Sequence, residues 1–503
     1  MSRTRNSAWN LAAGLGYALA SAGASLIATP LLLRWLGTER LGAYRALTDW
    51  IGYLMFFDVG LNGALMASFA RRIGQSDGTG VRRMVVAGLR AYRRVALVQL
   101  VGGIALIIAL PYLLSLSHLS DRELRIAVAV ALLPFVFTPL LVFRALAEAR
   151  QRGYINWLMA TAQVLVTNGL LLFAARAGWG LAGQSMVFAV AQIPSLLVLA
   201  WDGLRAYHGV WKTISEQADR TTLWRLSWPT WIHALTDRVG LVSDNIVIAW
   251  MLGPAAVVPF FLTQQLALLA QGQLRGLSNA TWAGLAELSA LGDNIKLQAR
   301  LVELTGMVSG LGLAILMPIA AYNRVFVHLW VGANSYAGDA ITGLACLNAW
   351  LWAIFALWGW VILGAGRIRR WMPFAIFSTL VNIVISLIGT TMLGLIGPLL
   401  GTTAGLLLVT SWALPRTLHQ IGGILPRALW RAALRPLLWS LPYGLSLWLA
   451  AKFVPPTNWI NFPAMIGLGM IAGLILWWRL SLGRTERQQW QARFRNVLSL
   501  EAK

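Results

Sequence analysis

Acidic residues are scarce in this sequence: 18 Asp and Glu stand against 41 Lys and Arg, a formal net charge of +23 over 503 residues. Cysteine is scarcer still. Cys346 is alone and falls within an apolar run, which excludes an intrachain disulfide and leaves the redox compartment unreadable. The five histidines (His118, His208, His233, His328 and His419) are far apart, and no metal-ligand pair appears. None of the four lysines (Lys212, Lys296, Lys452 and Lys503) follows a glycine, so there is no Walker A loop and no direct drive by ATP from this chain. No two aspartates stand as Asp-x-Asp, which argues against a nucleotide-sugar glycosyltransferase. No catalytic residue, metal or cofactor is assigned, and the chain is not read as an enzyme.

Long apolar runs are what the sequence has in abundance. Hydrophobic residues make up 58% of it and charged residues 12%. About fourteen stretches reach the roughly 20 residues that cross about 30 Å of hydrocarbon. They lie near 11–33, 46–69, 95–116, 125–146, 155–175, 181–201, 228–252, 257–280, 302–322, 340–364, 372–392, 395–415, 434–451 and 462–480. The gaps leave no room for a soluble catalytic domain. With the N-terminus in the cytoplasm, 32 of the 41 Lys and Arg fall in cytoplasmic gaps and 8 in outward ones, with Arg238 inside a span. That is the positive-inside distribution, helped by attraction to anionic lipid. The basic charge is therefore topology, not a nucleic-acid interface. Both termini are expected in the cytoplasm. Ala18-Leu19-Ala20 formally matches a signal-cleavage site after Arg3 and Arg5, but the apolar run continues to Leu33, long enough for an uncleaved span. Most of the 26 tryptophans flank spans, as interfacial belts do.

The sequence also repeats. Leu36-Gly37 followed by Leu41-Gly42-Ala43-Tyr44 matches Leu252-Gly253 followed by Val257-Val258-Pro259-Phe260 at an offset of 216. Asn168, Gly180 and Gly183 recur as Asn382, Gly394 and Gly397 at an offset of 214. Each half then holds six spans and enters the membrane with the same orientation, a parallel repeat of the kind found in transporters with a central site between halves. The expected division is an N-terminal six-helix bundle (1–201), a cytoplasmic linker (202–225), a C-terminal six-helix bundle (226–418), helices 13 and 14 (419–482) and a basic cytoplasmic tail (483–503). The linker, with Arg205, Lys212, Glu216, Asp219, Arg220 and Arg225, reads as an amphipathic surface helix. The last two spans have no counterpart in the repeat and would line a groove beside the second half.

Two motifs imitate chemistry. Gly74-Gln75-Ser76-Asp77-Gly78 matches a nucleophile elbow, which needs a strand–turn–helix; here it sits in a short loop between arginine pairs. Gly178-Trp179-Gly180-Leu181-Ala182-Gly183 matches a dinucleotide fingerprint, which needs a βαβ unit. Between two spans the same glycines serve a tight turn and close helix approach.

Ionisable groups inside spans cost a few kcal/mol each and are functional candidates by default. The seventh span is richest, with His233, Asp237, Arg238, Asp244 and Asn245. At 100° per residue, His233, Asp237 and Asp244 fall within about 40° of one another. Arg238 and Asn245 share a neighbouring face. This arrangement suits a coupling ion beside a cation for an anionic substrate; a structural pairing of Arg238 on a wet face explains it equally well. Arg45 and Asp49 stand i, i+4 in the second span, where helix support by an ion pair is the simpler reading. Asp58, just before Gly60, reads as a structural cap. In the first span Asn10, Gly14, Tyr17, Ser21, Ser25 and Thr29 form a small and polar stripe, for helix packing or for lining a cavity. Arg34 and Arg275 lie near opposite membrane faces, where snorkelling anchors are also found.

Taken in order, Pro30, Leu36-Gly37, Leu41-Gly42-Ala43-Tyr44, Asp58-Val59-Gly60-Leu61, Leu291-Gly292-Asp293, Phe326-Val327-His328-Leu329-Trp330-Val331-Gly332, Gly364-Ala365-Gly366-Arg367, then Asn382, Gly394, Gly397 and Gly401 complete a pattern. The whole chain resembles the polysaccharide biosynthesis (Wzx-type) lipid-linked oligosaccharide flippases of the MOP exporter superfamily. The resemblance implies an all-α polytopic membrane protein: two six-helix bundles facing each other around a MATE-like V-shaped cavity, plus helices 13 and 14. It implies alternating access that carries an undecaprenyl-diphosphate-linked oligosaccharide from the cytoplasmic to the outer leaflet of a bacterial inner membrane. The partners would be that glycan, membrane lipid and a polysaccharide polymerase complex. Cationic side chains would hold the diphosphate, since arginine's planar fork suits phosphate oxygens. No motif fixes their positions, so Arg45, Arg238, Arg34 and Arg275 are candidates from this sequence alone. Asp237, Asp244, Asp49 and His233 are candidates for ion coupling, and Asn10, Tyr17, Ser21, Ser25 and Asn245 for lining the cavity.

Two other readings compete. Multidrug–cation antiporters of the same superfamily usually have twelve spans and an acidic cavity; the two extra spans and the arginines favour an anionic lipid. A membrane-embedded glycan ligase or polymerase needs a large outward loop with catalytic arginines or a histidine. The longest outward gap, 323–339, offers only Arg324 and His328.

Overall fold

A chain crossing hydrocarbon must pair every backbone N–H and C=O within itself, which commits each apolar run to helix. The computed structural model has a helical element at every one of the fourteen stretches. It describes residues 3–58, 60–114, 119–150, 153–210, 213–214, 216–483 and 487–488, and no strand occurs among them. In chain order the helices are α1 (Arg3–Met55), α2 (Leu61–Gly74), α3 (Gly78–Leu113), α4 (Asp121–Ala131), α5 (Leu141–Ala149), α6 (Gly153–Arg176), α7 (Gly180–Val190), α8 (Ile193–Ala206) and α9 (Gln217–Met251). There follow α10 (Pro254–Ala280), α11 (Trp282–Ala290), α12 (Asn294–Val331), α13 (Asp339–Gly364), α14 (Ile368–Leu393), α15 (Gly397–Ala404), α16 (Ser411–Gly422), α17 (Pro426–Leu434), α18 (Leu437–Phe453) and α19 (Asn461–Leu476). Among the described residues ten continuous helical stretches are long and apolar enough to cross a membrane. The number is below fourteen in part because Ile368–Gly422 runs through the eleventh and twelfth spans and α18 has only 17 residues.

The breaks follow local chemistry. Gly37, at φ 77°, interrupts α1 between its two arms. Asp58 caps the next break as its sequence position suggests: its Oδ1 accepts the Gly60 N–H at 2.9 Å, and Gly60 takes the left-handed conformation at φ 68°. Between α4 and α5 the chain tightens into a 3₁₀ stretch, Leu133–Leu140, with Pro134 near its start and Pro139 inside it. Proline lacks the N–H a regular helix needs there.

By its own contacts the chain divides into two compact units, Met1–Val258 and Pro259–Lys503, so α9 belongs to the first and the division falls inside α10. The first unit's core packs Leu65, Phe69, Met84, Tyr92, Phe143 and Leu146. A buried polar tie crosses it: Thr138 Oγ1 donates to Gln99 Oε1 at 2.9 Å, and Gln99 Nε2 donates to the Leu54 carbonyl at 3.1 Å. In the second unit tryptophans enter the core with their N–H groups satisfied. Trp358 Nε1 donates to Thr305 Oγ1 at 2.9 Å, and Trp350 Nε1 to Ser309 Oγ at 3.1 Å. Asn382 Nδ2 donates to Thr402 Oγ1 at 3.1 Å, tying α14 to α15.

The repeat is visible in backbone conformation. Gly37 and Gly253, 216 apart, have φ 77° and 90°; Gly180 and Gly394, 214 apart, have φ 59° and 60°. Ser76 and Gly292, again 216 apart, are left-handed at φ 57° and 69°. The next residue in each case caps a long helix: Asp77 Oδ1 accepts the Gly80 N–H at 2.7 Å, and Asp293 Oδ1 accepts the Lys296 N–H at 3.1 Å. The Lys296 ammonium, 2.8 Å from the same carboxylate, holds Asp293 below the usual carboxylate range.

One expectation is corrected. The joining segment is not a separate amphipathic helix: α8 ends at Ala206, α9 starts at Gln217, and the described residues between them hold no α-helix. Gly209, left-handed at φ 82°, turns the chain there. The charged residues at either edge are absorbed into the neighbouring long helices. Both imitation motifs are turns: Ser76 lies between α2 and α3, and Gly178 and Gly180, at φ 73° and 59°, turn α6 into α7.

Candidate functional site

Two polar clusters stand out in the first unit. The first joins α1 to α9. Asn245 Nδ2 donates to Asp49 Oδ2 at 2.9 Å, linking positions 196 residues apart. Arg45 lies one turn before Asp49 on α1, and Asp244 is the neighbour of Asn245; all four are partly buried. Thr48 Oγ1 donates to the Arg45 carbonyl at 2.8 Å, so the hydroxyl between these charged residues is turned back onto its own helix. The structure thus brings Asp49 and Asn245 together from two different expected roles. Arg34, three residues before the Gly37 break, is exposed. Arg275 belongs to the second unit, with its guanidinium 5.5 Å from the Trp352 ring centre, a cation–π contact. Ser21 and Ser25 are partly buried on the first arm of α1. The side chains of Asn10, His233, Asp237 and Arg238 lie outside the described residues.

The second cluster was not singled out in the sequence. A cavity of about 530 Å³ is lined from α1, α2, α5, α6 and α8. Its polar centre is Glu148. Glu148 Oε1 accepts from Arg144 Nε at 3.4 Å and from Asn156 Nδ2 at 3.1 Å. Glu148 Oε2 accepts from Asn62 Nδ2 at 3.4 Å. Tyr17, expected to line a cavity, does so here: its ring centre is 5.4 Å from that of Trp157. On the far wall Ser195 Oγ is placed between Gln163 Oε1 at 3.3 Å and the Gln192 carbonyl at 2.8 Å. The signal available in the sequence was thin: Glu148 is the one acid in the gap 144–152, which otherwise reads only as topological charge.

The second unit has a cavity of a different character. About 610 Å³ opens along α18 and α19, lined by Leu438, Trp439, Pro442, Tyr443, Leu476 and Leu480, with Arg435 and Ser446 as its more polar wall. Trp439 Nε1 donates to Ser481 Oγ at 2.6 Å and the Tyr443 hydroxyl to the Gly469 carbonyl. Both polar ends are thereby satisfied, which leaves ring faces. No group of three His, Cys, Asp or Glu side chains that could hold a metal ion occurs among the described residues.

A family model described as polysaccharide biosynthesis protein matches residues 4–282. No curated protein matches the chain. Among solved structures the chain is similar to a lipid II flippase, MurJ, in an inward closed conformation: TM-score 0.66, 14% identity, 91% of this chain and 97% of that one covered. It is similar also to a multidrug resistance MATE family transporter of the MOP superfamily in an inward-facing conformation, with TM-score 0.55, 16% identity and coverage of 86% and 96%. The outward-facing form of such a transporter gives TM-score 0.52, 16% identity and the same coverage. At these identities the likeness is one of fold. It bears out the expected all-α, multi-pass membrane architecture.

Proposed function

The chain belongs to the polysaccharide biosynthesis protein family, and from that premise we propose that it is a flippase. It carries an undecaprenyl-diphosphate-linked oligosaccharide from the cytoplasmic to the outer leaflet of a bacterial inner membrane, in the assembly of an O-antigen, exopolysaccharide or similar surface polymer. The chain performs no covalent chemistry of its own and hands its cargo to a polymerase complex. Both termini face the cytoplasm.

The observation that carries this reading is the α1–α9 cluster, in which Asp49 is bonded to Asn245 within apolar helices beside Arg45 and Asp244. Charges kept at membrane depth against their insertion cost mark substrate and ion pathways. Arg238 occupies the α9 position two turns before Asn245. Arg45 and Arg238 serve the diphosphate, and Asp49, Asp237 and Asp244 serve a coupling ion. The apolar cavity along α18 and α19 suits a polyprenyl tail, with Arg435 on its wall for the anionic end. The fold likeness to a lipid II flippase supports the choice of cargo.

Native mass spectrometry of the purified protein tests the anion requirement. The wild type should retain undecaprenyl diphosphate over undecaprenol, and Arg45→Ala with Arg238→Ala should lower retention at least about tenfold, the effect of losing roughly 1.4 kcal/mol. Equal retention of the uncharged alcohol, with no effect of either change, contradicts the diphosphate reading.

A further inference from the structure

The cavity around Glu148 is built to receive hydrogen-bond donors. Glu148 is acceptor-only when ionised, and the two amides facing it must present their Nδ2 groups. That requirement fixes the orientation of Asn62 and Asn156, an assignment otherwise open for amides. It leaves both Oδ1 atoms buried, and neither accepts a hydrogen bond from any described residue. A buried acceptor without a donor costs about 1–3 kcal/mol; of the two amides, Asn156 lines the cavity. The lining is also aromatic, with the Trp157 and Tyr17 ring centres 5.4 Å apart and inclined by 45°. At about 530 Å³ the cavity is within the roughly 300–1,000 Å³ range of small-ligand sites, which combine apolar walls with a few placed polar groups.

A ligand for these groups needs an apolar face flanked by several hydroxyl or amide N–H donors, which describes a pyranose ring. Phosphate fits poorly, since it is itself an acceptor and would meet the Glu148 carboxylate, with which the lining guanidinium, Arg144, is already paired. Resting on the flippase reading, we propose that this cavity is a sugar-recognition subsite, in which a pyranose of the cargo packs on Trp157 and Tyr17 and donates hydroxyls to Glu148, whose carboxylate Asn156 holds in place. The diphosphate candidate Arg45 is not among its described lining residues. The cavity is lined near the ends of the fourth and fifth spans, which border the arginine-bearing gap 144–152, and of the sixth, which runs into the segment 202–225. On the expected topology that is the cytoplasmic side, where the cargo is loaded.

Saturation-transfer NMR on the full chain in nanodiscs tests this with lipid-free probes: the methyl glycosides of glucose, galactose, mannose and N-acetylglucosamine. At least one should receive saturation, and Trp157→Ala or Asn156→Ala should weaken its binding about tenfold or more. Trp201→Ala, at an exposed tryptophan on α8, should leave it unchanged. If Trp157→Ala fails to fold, Trp157→Phe keeps a ring beside Tyr17 and should give an intermediate loss. The proposal is overturned if no glycoside binds, if binding survives both cavity substitutions, or if inorganic pyrophosphate displaces the glycoside at this site. Because these probes carry no lipid, a negative result leaves transport untouched. Failure of the chain to move any lipid between leaflets would in turn leave a positive binding result standing.

Discussion

At the residue scale, Asp77 and Asp49 make separable predictions. Asp77 caps α3 by accepting the Gly80 N–H. Asp77→Ala should cost about 1 kcal/mol, while Asp77→Asn, which keeps an acceptor, should stay within a few tenths; unfolding in detergent measures both. Asp49 has a different task. Asn245→Ala removes the 2.9 Å bond to it, and interhelical hydrogen bonds in membranes average about 0.6 kcal/mol with a maximum near 1.7. Asn245→Asp should cost more than Asn245→Ala, because it sets a carboxylate against a carboxylate. If the two changes are equal, Asp49 is not held by Asn245. Asp58 shows how much one residue can reveal: an aspartate just before a glycine at a break has a local task, readable without the fold. Glu148 does not. Its partners Asn62, Arg144 and Asn156 come from α2, α5 and α6, and only packing brings them to one carboxylate.

At the scale of elements, length and apolarity made the spans legible, because hydrocarbon leaves the backbone only one way to satisfy itself. The breaks were harder to read. Pro134 and Pro139 tighten the fourth span into a 3₁₀ stretch, and residues 405–410 form a π-helical turn within the twelfth. Neither alters the hydropathy from which spans were read. Close approach between helices is equally silent in the sequence. A Cβ at Gly42 on α1 would stand 1.8 Å from the Pro254 carbonyl oxygen, whereas one at Gly16 on the same helix would meet nothing within 4 Å. Gly42→Ala should therefore destabilise the protein by about 1–3 kcal/mol, the usual cost of overpacking. Gly16→Ala should be neutral or gain up to about 1 kcal/mol of helix propensity. Thermal unfolding of the two variants side by side decides whether the α1–α10 approach is as tight as described.

At the scale of the whole molecule, the repeat ties sequence to architecture: the same left-handed turn followed by the same capping aspartate opens α3 and α12. Duplication explains why two halves of different sequence break at matching places. The division of labour proposed here differs between them, with polar clusters for charge and sugar in the first unit and an apolar cavity in the second. Orientation is testable through Cys346, which is buried at 7% exposure and can be replaced by alanine. In that background a cysteine at Gln75 should be shielded from a membrane-impermeant maleimide added outside intact cells, and one at Asn334 should be labelled. The reverse pattern would invert the topology and the direction of transport with it.

The central claim is that this chain moves a lipid-linked glycan between leaflets. Its most direct test places the protein in liposomes with a fluorescent undecaprenyl-diphosphate oligosaccharide and an impermeant quencher outside. The account predicts that label initially protected in the inner leaflet becomes quenchable only when the protein is present, and that Arg238→Ala slows this. Label that stays protected, in vesicles that export a cationic dye against a pH gradient, would contradict the claim and make the chain a cation antiporter on the same fold.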